Sequence, residues 1–299
     1  MEIRQLKYFV GIADTGSFSE ASRRFYLSQS AISQQIKILE DELGTQLFTR
    51  TPHQVTLTES GNMLLPLARL ALQSFSDCKE RMNDLNKMLC GELNVGLTYT
   101  LEPYVRHAAI RFMKNYPKVQ LNIIYKSIPE LQEMLRNQKI DMAFSIGMDG
   151  LEGEIESFPI MKYRLCAIMR DNHPLATRKQ ISFKDLELQN IILPEKGIRD
   201  RNAIEEYFSQ KASNLRVRAM VNIPEAILNL LQATNYISIL CDIIILEKPN
   251  LRAVEIEELS NPVQSYVHFL RQGYRKRSAQ VFLKLLQDYT KQSDMPIIG

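Results

Sequence analysis

The chain has 299 residues, a formal net charge of +3, 45% apolar and 24% charged side chains, a profile that fits a small module plus one or two larger globular units. It holds no run of about 18 apolar residues, and its first residues already form a charged amphipathic pattern, which argues against a membrane span or a secretory leader and leads us to expect a cytoplasmic protein. The four cysteines, Cys78, Cys90, Cys166 and Cys241, are far apart with no C-x-x-C spacing and are expected to stay reduced.

The chain opens with Leu6, Phe9, Val10 and Ala13 at i, i+3, i+4, i+7, a first helix closed by Gly16. Ser17 and Glu20 form an S-x-x-E start for a second helix whose apolar face is Phe18, Ala21 and Phe25. After Leu27 a third helix runs from Ser28 to its stop at Gly44, with Ile32, Ile36, Leu39 and Leu43 as the expected buried stripe. Its other surface carries Ser28, Gln29, Ser30, Ser33, Gln34 and Lys37 in the first half, residue types that hydrogen-bond base edges and phosphates. Glu40, Asp41 and Glu42 would repel phosphate, so only that first half can face DNA. The three helices read as a helix-turn-helix unit.

Two short extended runs follow, Leu47 to Arg50 and Gln54 to Leu57, around a turn at Thr51-Pro52-His53. They read as a wing, with Arg50 and His53 as expected contacts to the backbone or minor groove. Residues 1–60 hold fewer bases (Arg4, Lys7, Arg23, Arg24, Lys37, Arg50) than acids (Glu2, Asp14, Glu20, Glu40, Asp41, Glu42, Glu59). DNA binding must therefore rest on placement, with Arg23, Arg24, Lys37 and Arg50 near phosphates, and on two or more modules acting together.

From Thr58, a helix N-cap, a long helical pattern runs to about Leu89 and ends at Gly91. Leu65, Ala68, Leu72, Phe75 and Met82 alternate in steps of three and four, with Lys79 and Asn86 at polar seam positions. Such a helix either pairs with its copy in a second subunit or lies on a neighbouring domain.

Beyond Gly91, strand and helix patterns alternate: strands at 93–97, 119–125 and 140–146 with helices at 102–115 and 129–137, then strands at 165–169, 191–193, 215–221 and 237–240 with helices at 200–211 and 224–233. A strand at 263–270 and a helix at 276–289 close the chain. Alternation of this kind predicts parallel sheets covered by helices. Ligands in open α/β sheets bind beyond the C-terminal strand ends. That rule selects Thr98, Tyr99 and Thr100, Ser127 and Ile128, Ser145 and Gly147, and, in the second set, Gly197, Arg199, Asn222 and Ile223. Thr100 and Ser127 also stand at helix-capping positions, and Arg199 can equally be a surface arginine at a helix start. No H-E-x-x-H, G-x-S-x-G or glycine-rich phosphate loop occurs, and His53, His107, His173 and His268 are scattered, so no metal or cofactor is expected and His107 and His173 read as structural.

The runs Gly16-Ser17-Phe18-Ser19-Glu20-Ala21-Ser22, Ser28-Gln29-Ser30-Ala31-Ile32-Ser33-Gln34-Gln35-Ile36, Leu39-Glu40-x-x-Leu43-Gly44-x-x-Leu47-Phe48-x-Arg50 and Leu57-Thr58-x-x-Gly61 resemble the signature of the LysR-type transcriptional regulators. The likeness continues through Tyr116-Pro117-x-Val119-x-Leu121, Ile140-Asp141-Met142-Ala143 and His173-Pro174-Leu175, and so covers nearly the whole chain. It implies a winged helix-turn-helix domain at 1–58, a linker helix for dimerisation at 59–90 with Leu65, Leu72, Phe75 and Met82 in the seam, and a two-lobed α/β effector domain resembling a type 2 periplasmic binding protein. Lobe I would span 91–163, with 265–299 returning to it, and lobe II 164–264; the crossings would fall near 160–165 and 262–268. The implied function is sequence-specific regulation at promoter DNA by a homodimer or homotetramer, modulated by a small polar or anionic effector between the lobes. The alternative is a two-lobed enzyme or ligand-binding protein with an N-terminal dimerisation module. The chain departs from the family at Ala233-Thr234-Asn235-Tyr236 and Cys241-Asp242, where a glycine-rich turn and a proline are usual, and Cys166 and Cys241 do not suggest the cysteine pair of the peroxide-sensing branch.

Overall fold

The computed structural model describes residues 1–50, 55–85, 89–146, 153–195, 215–259 and 261–292. The chain divides into two compact units, Met1–Met88 and Leu89–Gly299.

The first unit begins with α1 (Ile3–Thr15), α2 (Phe18–Arg24) and α3 (Gln29–Leu43). Local chemistry sets their ends. The Ser17 and Ser28 hydroxyls accept the backbone N–H of Glu20 and Ala31, satisfying donors that helix starts leave open. Gly16 and Gly44 end α1 and α3 in the left-handed region, at φ 64° and 67°. Phe9, Ile12, Ala21, Ile32, Ile36 and Leu39 are fully enclosed, and Phe48 closes the core edge-on against Phe18. Leu43, expected inside, is 40% exposed. It lies in the last turn of α3, beyond the end of the core. On α1, Ile12, outside the expected stripe Leu6, Phe9, Val10 and Ala13, is fully enclosed.

Strands β1 (Phe48–Arg50) and β2 (Val55–Leu57) pair antiparallel as the base of the wing. His53 lies outside the described residues. Thr58 caps α4 (Glu59–Leu85), its hydroxyl accepting Gly61 N–H at 3.0 Å and donating to Gln46 O at 2.7 Å. Gly61 is required by close approach: a Cβ there would stand 2.2 Å from Leu47 O.

The seam expected along α4 divides. Ala68 is buried and Leu64, Leu65 and Leu72 pack against the core of their own unit, while Met63, Leu67, Leu70, Phe75 and Met82 are 48–69% exposed. Leu65 and Leu72 are thus drawn onto α1 and its neighbours, because a one-stripe heptad reading cannot distinguish an intramolecular face from an intermolecular one.

The second unit holds two sheets. The first, in order β4-β3-β5-β13-β6, combines β3 (Gly91–Leu97), β4 (Val119–Tyr125), β5 (Met142–Ser145), β6 (Ile155–Tyr163) and β13 (Val263–Leu270). The second, in order β10-β9-β11-β7-β12-β8, combines β7 (Leu165–Arg170), β8 (Gln180–Ile181), β9 (Asn190–Pro194), β10 (Arg216–Val221), β11 (Ile237–Cys241) and β12 (Leu251–Ile256). Neither is wholly parallel: β13 runs antiparallel to β5 and β6, and β7 antiparallel to β11 and β12. Of the strands flanking the two crossings, only β7 and β13, the ones that enter a new sheet, run against its direction, while β6 and β12 run with theirs, which a pattern of apolar runs cannot reveal. The second crossing falls within 257–262, since Val263 already pairs with Tyr163 of β6.

Helices α5 (Glu102–Asn115) and α6 (Ile128–Arg136) cover the first sheet. In the second lobe, α7 (Phe183–Glu187) and α8 (Pro224–Ala233) pack on the second sheet, and α9 (Arg277–Gln292) returns to α5, with Phe282 against Phe112 at 5.5 Å. One apolar cluster runs through both lobes, from Leu97 and Phe144 to Ile168 and Leu240. The helix expected at 200–211 lies outside the described residues.

Candidate functional site

Two surfaces collect the polar residues that the sequence singles out. On α3 the stripe Ile32, Ile36, Leu39 faces the core, which turns the opposite surface to solvent. Arg23, Arg24, Ser28, Gln29, Ser30, Gln34 and Lys37 are all exposed, and Ser33 is half-buried. The Ser28 and Ser30 hydroxyls lie 3.0 Å apart, and Gln29 Oε1 accepts from Ser19 Oγ at 2.8 Å, so the Gln29 amide presents its NH2 outward as a donor. The acidic half of α3 has a different task. Glu40 Oε1 accepts the backbone N–H of Leu47 at 2.7 Å and of Phe48 at 3.3 Å, fastening the first wing strand to the helix. Arg50 stands at the end of β1, and the position of its side chain, like all of His53, lies outside the described residues.

The connection between α2 and α3 is a left-handed helix ending that the sequence reading passed over. Tyr26 N–H donates to Arg23 O and Leu27 N–H to Ser22 O, with Tyr26 at φ 55°. Phe25 pins the turn, packing edge-on against Tyr8 at 5.1 Å and lying so close to Gly11 that a Cβ there would meet its ring at 2.4 Å. No local signal marks this ending, because the residue in the left-handed position is not a glycine.

In the second unit the strand ends of the first lobe gather Thr98, Tyr99, Thr100, Ser127 and Ser145. Thr98 N–H donates to Phe144 O, and its Oγ1 is buried with no hydrogen-bond partner among the described residues. Tyr99 is 42% exposed and stacks on Tyr125 at 4.8 Å. Thr100 does not cap α5, whose N-cap is Leu101; a short 3-10 turn over Tyr99–Leu101 intervenes and buries Thr100, whose carbonyl accepts from Cys241 Sγ at 3.9 Å.

Ser127 does cap α6, in an S-x-x-E pair legible in the sequence. Its N–H and hydroxyl both donate to Glu130 Oε2, at 3.0 and 2.6 Å. These bonds from Ser127, with Lys126 beside them, hold the Glu130 carboxyl down to about 2. Ile128 is half-buried in the first turn of α6. Ser145 is fully enclosed with its hydroxyl 3.0 Å from His268 Nε2, while Ser157 Oγ lies 2.7 Å from His268 Nδ1. Burial brings the His268 imidazole down to about 4, so it is neutral at physiological pH. Ser145 is therefore committed to the interior, and the structure removes it from the surfaces a ligand can reach.

From the second lobe, Asn222 and Ile223 precede α8 on the surface, while Gly147, Gly197 and Arg199 lie outside the described residues. The lobes are fastened where Arg106 of α5, also paired with Glu102, reaches Glu247, and within the second lobe Arg164 N–H donates to Asp242 Oδ1 while Asp242 N–H donates to Arg164 O. The cysteines are free, and burial pushes the Cys166 thiol up to about 12, leaving it protonated and unreactive. His173 is buried, its Nδ1 accepting Leu175 N–H at 3.1 Å, and burial lowers its pKa, in keeping with the structural role read from the sequence.

Comparison with known proteins brings both surfaces into one frame. Residues 3–62 match the family described as bacterial regulatory helix-turn-helix protein, lysR family, and residues 86–291 match the LysR substrate binding domain. The HTH-type transcriptional activator CmpR of Synechocystis is 27% identical over 287 residues, 95% of this chain and 94% of that protein. Full-length OxyR from Pseudomonas aeruginosa has the same fold, with a TM-score of 0.73 at 21% identity over 96% of this chain and 95% of that one. Full-length CbnR solved with its target DNA superposes with a TM-score of 0.66 at 23% identity, over 96% of this chain and 99% of CbnR.

Proposed function

For this chain, which belongs to the LysR family of bacterial helix-turn-helix regulators, we propose that α3 reads promoter DNA through Gln29, Ser33 and Gln34, with Ser28, Ser30, Arg23, Arg24, Lys37, Arg50 and His53 on the phosphate backbone. The protein is a DNA-binding transcription regulator whose second unit takes a small-molecule effector. The observation that carries the reading is the exposed polar half of α3, set opposite a fully enclosed stripe at the N-terminal end of the second helix of a helix-turn-helix. Sequencing the genomic fragments that the purified protein retains tests it. Recovery of fragments sharing one spaced, two-fold motif is the expected result, and recovery of unrelated fragments overturns sequence-specific reading.

The effector is a small polar or anionic molecule held between the lobes by Thr98, Tyr99, Thr100, Ser127, Ile128, Asn222 and Ile223, with Gly147, Gly197 and Arg199 alongside. The buried Thr98 hydroxyl, without a hydrogen-bond partner among the described residues, supports this, since a ligand oxygen would satisfy it. Working divisions at 1–58, 59–90, 91–163 with 263–299, and 164–262 follow from this reading, the return moved forward because Val263 and Gln264 pair with β6. The site binds its ligand without transforming it, and a regulator that reads the chromosome works in the cytoplasm.

Assembly is through α4. The exposed face Met63, Leu67, Leu70, Phe75 and Met82 seats on its copy in a second subunit, placing two reading heads on one DNA site. The effector acts by binding one assembly geometry better than another.

A further inference from the structure

We propose that Tyr26 is a DNA-backbone contact, its phenol hydroxyl donating to a phosphate oxygen beside the reading helix; the assignment rests on the DNA-binding reading above. Tyr26 occupies the left-handed residue that ends α2, closed on either side by the bonds to Arg23 O and Ser22 O. Glycine suits that position because a Cβ crowds the neighbouring carbonyl, and a bulky ring fits it poorly. The same unit uses glycine at its other two left-handed helix ends, Gly16 and Gly44. A tyrosine here is therefore held against local preference, by Phe25 wedged between Tyr8 and Gly11.

Among the described residues nothing repays that strain through the Tyr26 side chain, which is 95% exposed. The contrast is with Gln138, the other non-glycine left-handed residue among those described, which is half-buried after α6. Strain that packing does not reward points to a use outside the folded chain. The location supplies the use. Tyr26 follows the exposed Arg23 and Arg24 and stands two residues before Ser28, the cap of α3. In a helix-turn-helix the N-terminal end of the second helix meets base edges, so the connection leading into it runs past the sugar-phosphate backbone. A neutral donor is of particular value in a unit whose acids outnumber its bases over residues 1–60, because it binds phosphate without needing a cation.

Two variants test the assignment in titrations of the full-length protein with a mixed-sequence duplex and with whichever genomic fragment the wild type retains. Tyr26→Phe removes the hydroxyl alone; Tyr26→Asn also relieves the left-handed strain. Both should bind both duplexes more weakly by a similar factor, on the order of tenfold. The slope of log affinity against log salt should stay unchanged, because no charge is lost. Tyr26→Phe should melt with the wild type and Tyr26→Asn above it, so that stability and DNA affinity move in opposite directions. Unchanged affinity of Tyr26→Phe for both duplexes overturns the assignment, as does a fall in its melting temperature that accounts for the loss. A wild-type protein that retains no duplex at all removes the DNA-binding reading and this assignment with it, an outcome told apart by the wild-type control.

Discussion

His268 ties the stability of the second unit to pH by an amount that can be worked out. The imidazole is fully enclosed between Ser145 and Ser157, and burial brings it to about 4 from an ordinary value of 6.5. As pH falls below 6.5 the unfolded chain takes up a proton that the folded one refuses. The folded state therefore loses stability as pH falls from 6.5 through 4, and the contribution is complete above 6.5. The shift of 2.5, from 6.5 to about 4, at about 1.36 kcal/mol per pH unit corresponds to about 3 kcal/mol, of which about 2.5 kcal/mol is gone by about pH 4.5. Urea unfolding of wild type and His268→Gln, at matched ionic strength at about pH 7 and 4.5, isolates this share, because every other titrating group is common to both proteins. At neutral pH the variant should be less stable by about 1–3 kcal/mol, since Ser145 and Ser157 lose their shared partner. On acidification that deficit should shrink by about 2.5 kcal/mol. Parallel pH profiles for the two proteins would refute the buried neutral imidazole.

In DNA titrations, Gln34→Ala should cost about 1–3 kcal/mol at the retained fragment and little on mixed-sequence duplex. Lys37→Ala should instead weaken binding to both and lower the salt slope by about one; equal behaviour of the two variants would remove the division between base and phosphate contacts. Replacing Leu67 and Phe75 together by Asp should release subunits in sedimentation, because both are exposed in one chain and would bury unpaired charge in a pair. Leu72→Asp should lower the melting temperature of the first unit, since Leu72 packs on its core. Thr98→Val should leave melting unchanged while reducing effector affinity by about 1–3 kcal/mol in calorimetry, once an effector is identified; unchanged affinity would take the Thr98 hydroxyl out of the site.

Where the chemistry was local, the sequence by itself determined the outcome. Ser17, Ser28 and Thr58 cap the helices they precede, and Gly16 and Gly44 end the helices they follow, because each interaction closes within a few residues. The buried stripe Ile32, Ile36 and Leu39, and with it the outward face of α3, was legible for the same reason: a helix fixes which residues share a side. The family was legible too, carried by motifs along nearly the whole chain.

Tertiary structure alone decided matters that depend on what arrives from elsewhere. Leu65 and Leu72 turn inward only because α1 packs beside α4, and Leu43 stays out because the core ends before it. The mixed direction of the sheets follows from the two crossings, which pair strands as distant as β6 and β13. His268 meets hydroxyls 111 and 123 residues away, and so Ser145, placed by its strand end among ligand contacts, was claimed by the interior. Tyr26 shows the boundary between the two kinds of information. Its residue type and place were visible in the chain, but its left-handed backbone is imposed by Phe25 seating on Tyr8 and Gly11 of another helix, a contact that no local rule contains.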